Sequence, residues 1–198
     1  MNPSEIARLN FCVRLVPITV SLLVILGCAP SRNSAPEMSY TCATCGEEHD
    51  ELPAIGVSAP FHWSADYELD TNSLLTSDLC IIEARDYFIR GVIQIPIHNS
   101  DQTFDWGVWV SQKKENFELY RKHFDDGVQI GPFFGWLSTK INYYADDTIN
   151  LKTMAHFSTN GTRPLIKLEP SDHPLAVQQR DGITLEEAWR IVHTYDQK

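Results

Sequence analysis

Residues 38–198 predict an α+β fold: a mostly antiparallel sheet with one inserted helix, helices at the C-terminal end and a small Cys/His knuckle in front. Three observations carry this. Alternating apolar and polar positions, the period of a half-buried strand, dominate residues 79–111. Helical spacing of apolar residues appears at only two places, one in the middle of the chain and one at its end. The strands therefore run consecutively instead of alternating with helices, which disfavours a doubly wound parallel sheet. With 43% hydrophobic residues in 198, the chain is long enough to bury one sizeable core.

The first strands are expected over residues 79–84 and 87–97. In the second, Phe88, Arg90, Val92, Gln94 and Pro96 alternate with Ile89, Gly91, Ile93, Ile95 and Ile97, so one face is far more apolar than the other. Residues 104–111 follow, with Trp106, Val108 and Val110 on one side and Gly107, Trp109 and Ser111 on the other. Asn99 and Asp101 between the two runs mark a turn, which predicts an antiparallel hairpin. Ser111 is placed to cap a helix reaching about Phe124, because Phe117, Tyr120 and Phe124 share one face and Gly127 lies just beyond.

Further strands are read at 132–139, 149–158 and 165–169, the last two joined by a turn at Asn160-Gly161. Pro174 suits a first helical position and Gly182 a stop. Thr184 with Glu187 forms a capping box ahead of Leu185, Ala188, Trp189 and Val192, a stripe that should dock on the sheet.

Residues 1–37 read differently. Arg8 and Arg14 precede an apolar run over 15–26, too short to span a bilayer, and then come Ile25, Leu26, Gly27 and Cys28. Basic, then apolar, then small is the order of a secretory signal. Its end resembles a bacterial lipobox, which implies lipid attachment at Cys28 and a membrane-anchored lipoprotein, with 29–37 as a tether. The alternative is translation from Met38, which would leave a cytoplasmic protein.

Outside this segment the chain holds 13 basic against 24 acidic residues. Nucleic-acid affinity comes mainly from Lys and Arg neutralising phosphates, so a nucleic-acid partner is excluded. Lys113, Lys114, Arg121 and Lys122 share their predicted helix with Glu115 and Glu118, a mixed solvated face. A protein or small-molecule ligand suits the balance better, with membrane contact only through the lipid anchor.

Cys42-x2-Cys45-Gly46, with His49 four residues after the second Cys, is the strongest chemical signal. Two thiolates at this spacing can bind one tetrahedral ion, and Gly46 permits the tight turn between them. Zinc is the expected cofactor, held by Cys42, Cys45, His49 and Cys80, with His62 and His173 in reserve. Haem attachment needs His in place of Gly46. A disulfide or redox pair, and plain thiols, remain as alternatives.

A second constellation holds Arg163, Glu169, Asp172 and His173. A loop with Glu, Asp and His could supply a general acid and base. The structural reading is that Asp172 and His173 cap the helix opened by Pro174, while Glu169 pairs with Arg163. Trp106, Trp109 and Trp136 could line a ligand groove, or could be ordinary sheet core. No phosphate-binding Gly-rich loop, Gly-x-Ser-x-Gly elbow or His-Glu-x-x-His helix occurs.

With these residues placed, the chain resembles the bacterial family called domain of unknown function 2199. The strings that carry the likeness include Cys42-x2-Cys45-Gly-Glu-x-His49, Ser77-Asp-Leu-Cys80, Tyr87-Phe-Ile-Arg90-Gly, Trp106-Gly-Val-Trp109-Val-Ser, Gly135-Trp136-Leu, Arg163-Pro-Leu, Glu169-Pro and Asp172-His173-Pro-Leu-Ala-Val. The resemblance implies a domain beginning near Met38 and no assigned reaction. The expected function is a zinc-knuckle-bearing binding or interaction domain; the alternative is an enzyme using the Arg163, Glu169, Asp172 and His173 loop.

Overall fold

The longest run of alternating residues becomes the backbone of the sheet. In the computed structural model, which describes residues 36–42, 45–126, 128–157 and 161–196, strands β6 (Asp86–Pro96) and β7 (Thr103–Gln112) form one antiparallel hairpin. They pair from Tyr87 opposite Gln112 to Pro96 opposite Thr103. The apolar faces point the same way, so Ile89, Ile93, Ile95, Trp106, Val108 and Val110 are buried in the main core. Each such side chain contributes roughly 2–3 kcal/mol of transfer free energy.

The remaining strands are short: β1 (Tyr40–Thr41), β2 (Glu48–His49), β3 (Ile55–Gly56), β4 (Leu74–Leu75), β5 (Leu79–Ile82), β8 (Phe133–Trp136), β9 (Lys152–His156) and β10 (Leu165–Leu168). The strand expected over 79–84 stops at Ile82 because Glu83 and Ala84 both take φ of 51° and turn the chain into β6. β3 and β4 escape sequence reading, since two residues are too few to show a period.

The large sheet runs β3-β7-β6-β10-β9-β8, and β5 joins the same edge of β6 as β10. Most pairings are antiparallel, but β10 lies parallel to β6 and β3 parallel to β7. The path then returns on itself. Ser138 N donates to Trp109 O at 2.7 Å and Val110 bridges Leu137, so the chain leaving β8 closes against β7. Five strands thereby surround the core as a small barrel. Gly135 makes the closure possible: a Cβ there would stand 2.2 Å from Ser111 O.

Helix α1 (Lys114–Lys122) begins later than the sequence implies. Ser111 is not its cap, because β7 continues through Gln112 and the Ser111 hydroxyl instead accepts from Trp136 N at 3.0 Å. Helix α2 (Pro174–Asp181) opens at Pro174 and stops at Gly182, whose φ is 83°. A Cβ at Gly182 would meet Pro96 O at 2.9 Å, so the close return of the chain onto β6 needs glycine as much as the dihedral does. Helix α3 (Leu185–Asp196) starts with Glu187 N donating to Thr184 Oγ1 at 3.2 Å and buries Ala188, Trp189 and Val192 in the main core.

The lipobox reading of Cys28 and the tether as far as residue 35 fall outside the described residues; at the tether's end Glu37 O lies 2.6 Å from His193 Nε2. Asn160 of the expected turn also falls outside them. β9 and β10 do pair antiparallel across it.

Candidate metal centre

The knuckle is built by backbone before side chains enter. β1 and β2 pair antiparallel, Tyr40 opposite His49 and Thr41 opposite Glu48. Cys42 N donates to Glu47 O and Gly46 N donates to Cys42 O, each at 2.8 Å. Gly46 sits at φ 73°, a conformation that side chains disfavour. This turn brings Cys42 and Cys45 round to the same side as the imidazole at the end of β2.

The donor atoms of Cys42, Cys45 and His49 all lie within 4.8 Å of one another, and Cys45 Sγ is 3.2 Å from His49 Nε2. Cys45 is a free thiol. Two sulfurs and an imidazole are a donor set that suits a borderline-soft divalent ion. The site is held to the domain by stacking: His49 lies on Tyr40 with centroids 5.4 Å apart, and Tyr40 approaches Trp189 of α3 at 6.5 Å.

Cys80 does not join this group. It is fully buried on β5, in a separate cluster with Ile82, Phe88 and Trp109. Burial pushes its thiol up to about 12, so in the metal-free chain it stays protonated at neutral pH. His62 packs against Phe61 and Phe88 instead, and His173 caps α2. The group of three donors that the described residues bring together is therefore smaller than the four-ligand set expected.

The second constellation is dispersed among structural duties. Arg163 does not pair with Glu169; its Nε donates to Asp78 Oδ1 at 2.6 Å, while Glu169 stands 3.9 Å from Lys152 Nζ. His173 Nδ1 accepts from Leu175 N at 3.1 Å, the N-cap bond of α2, and the ring meets Tyr144 edge-on at 5.8 Å. Asp172 is exposed and takes no part in the cap. The three tryptophans do not form one groove either. Trp106 lies in the main core, Trp109 in the smaller cluster on the opposite face, and Trp136 is 42% exposed. Alternation along β7 fixes that separation, since neighbouring side chains point to opposite faces.

Sequence reading missed the Asp78 cluster. Burial raises the Asp78 carboxyl, but hydrogen bonds from Ser77 and Arg163 and the charges of Arg163 and Arg90 outweigh it and hold the group below its ordinary value. Burial and the adjacent Arg163 lower Arg90. No local pattern announces the trio, because its members come from three separate stretches of chain.

Fold and site together define an α+β domain bearing a Cys/His group able to hold a metal ion. A family model described as uncharacterized protein conserved in bacteria, domain of unknown function 2199 (DUF2199), matches residues 41–183, and the chain belongs to that family. No match is found among curated proteins or among solved structures.

Proposed function

We propose that the domain is a binding module whose N-terminal knuckle is stabilised by zinc. The observation that carries this is the convergence of Cys42, Cys45 and His49 on a glycine-dependent turn that is itself docked on α3 through Tyr40. Zinc prefers thiolate and imidazole ligands in a tetrahedral set, and a bound ion would supply folding free energy to a loop with little apolar burial of its own. A three-donor group leaves one position for water or for a ligand from outside the described residues.

The enzyme alternative finds less support. Arg163 and Glu169 each pair with a charge on another stretch of chain and His173 caps α2; Glu169 shares a cavity with Trp136, but neither Arg163 nor His173 lines it. For address, the basic, apolar and small order of residues 8–28 supports a lipid anchor at Cys28.

Native mass spectrometry of the untagged protein from its own host tests these readings together. One zinc per chain, lost with Cys45→Ala, is the expected result. A Cys42–Cys45 disulfide with no metal would overturn the zinc reading, and a terminus near Met38 would overturn the anchor.

A further inference from the structure

Phe134 and Trp136 stand two residues apart on β8 and so share a face. Both are unusually bare for their size, 39% and 42% exposed, and their rings meet edge to face at 5.1 Å. Three cavities border Trp136. The largest, about 610 Å³, runs between the end of β7, the start of α1 and β8, past Tyr87, Gln112 and Asn116. A second, about 330 Å³, shares Asp86, Phe88 and Ser111 with the first and adds His62 and Ser138. The third, about 320 Å³, shares Asn150 with the second and continues over β9 and β10 to Glu169 and Ser171. The exposed indole thus stands at the border of three neighbouring cavities, which together form the Trp136 track.

One polar group points to an occupant. Gln112 is 8% exposed; its Nε2 donates to Phe134 O at 3.4 Å, and its buried Oε1 has no hydrogen-bond partner among the described residues. Buried acceptors are normally satisfied, and Gln112 belongs to the lining of the largest of these cavities, so its open acceptor is one that a ligand donor could satisfy. Beside it the Ser111 hydroxyl accepts from Trp136 N and keeps its own proton to donate. Half-buried Asn116 offers both kinds of group.

The charge of the rim narrows the ligand. Arg85, Asp86 and Lys113 line the largest cavity, and Arg85 is paired at 3.0 Å with Asp86 and with Glu83 outside the lining, so the charges there are of mixed sign and partly neutralised. A polyanion would meet Asp86 and a cation would meet Lys113. An added peptide strand would lack its ladder, because on the edge of β8 away from β9 Trp136 N and Phe134 O are taken by Ser111 and Gln112 of β7. A neutral ligand with many hydroxyls and an apolar C–H face fits each feature.

We propose that the Trp136 track binds a saccharide, with the indole stacked on a sugar ring and Gln112 Oε1 accepting a sugar hydroxyl. The inference rests on the reading of the domain as a binding module and names the ligand class of that module.

The test is an NMR titration of the full chain with neutral tetrasaccharides of glucose, xylose and N-acetylglucosamine, following the Trp136 indole and Gln112 amide signals and recovering the sugar afterwards. The expected result is saturable shifts at both residues with the sugar recovered intact. Trp136→Ala should weaken binding roughly tenfold or more, and Gln112→Met, which keeps volume but removes the acceptor, should weaken it without changing the melting temperature by more than a few degrees. A recovered sugar that has been cleaved would overturn the module reading. Indole shifts with an extended peptide but with none of the sugars would overturn the saccharide class and leave the module reading standing. Binding unaffected by both variants would place the site elsewhere and overturn the proposal.

Discussion

Arg163 Nε donates to Asp78 Oδ1 across 2.6 Å, closing the seam where β5 and β10 both begin along one edge of β6. On either side of that bond β6 is held by backbone, Arg90 N to Asp78 O and Val92 N to Pro164 O, each at 2.9 Å. One carboxylate therefore serves two arginines at the point where an antiparallel neighbour gives way to a parallel one.

Replacing Asp78 with Asn should cost about 1–2 kcal/mol at neutral pH, since it leaves Arg90 and Arg163 facing each other without the shared charge. The folded carboxyl titrates below its unfolded value of about 3.9. Its contribution is then complete above that value and declines as pH falls through the folded one. Denaturation free energies of wild type and Asp78→Asn should converge in acid. Curves that stay parallel to pH 2 would mean the charge contributes nothing to folding.

Gly135→Ala should cost about 2–4 kcal/mol, because its methyl would stand 2.2 Å from Ser111 O and 2.7 Å from Gln112 Nε2 and must push β8 off β7. Urea denaturation checks the magnitude. Hydrogen exchange checks the mechanism: the amide of Ser138, which bonds Trp109 O, should lose protection before those in the centre of the β6–β7 hairpin.

Two tyrosines make an opposed pair. Tyr144 Oη donates to Gln178 Oε1 at 2.6 Å, whereas the buried Tyr120 hydroxyl has no hydrogen-bond partner among the described residues. Tyr144→Phe should destabilise by about 1 kcal/mol, and Tyr120→Phe should be neutral or stabilising. Thermal melts of the two variants would contradict this if Tyr120→Phe proved the costlier.

His173 is a cap, so His173→Ala should lose about 1 kcal/mol, and His173→Asn, which can accept the same bond from Leu175 N, should recover most of it. Chemical denaturation of the three proteins distinguishes this from catalysis. A role in proton transfer would leave Asn no better than Ala in any assay of turnover.

Much of this structure is written in neighbouring residues. The β6–β7 hairpin follows from alternation around a turn at Asn99, whose φ is 57°. The bounds of α2 follow from Pro174 and Gly182, and the start of α3 from Thr184. The Cys42, Cys45 and His49 group is likewise local: its members lie within eight residues, and Gly46 closes the loop between them. Such features depend on dihedral preference and on which side of a strand or helix a residue takes, and both are properties of short sequence.

What joins distant stretches was decided only in the folded chain. Arg163 lies 85 residues from Asp78, and it takes that partner rather than Glu169 because β10 lands parallel beside β6 next to the start of β5. Cys80 carries a ligand's side chain but a core position, since β5 turns it into the cluster with Trp109. Ser111 has a capping residue's chemistry and spends it on β8, because the barrel closes there. In each case the residue type sets what a side chain can bond, and the order in which strands meet sets what stands within reach.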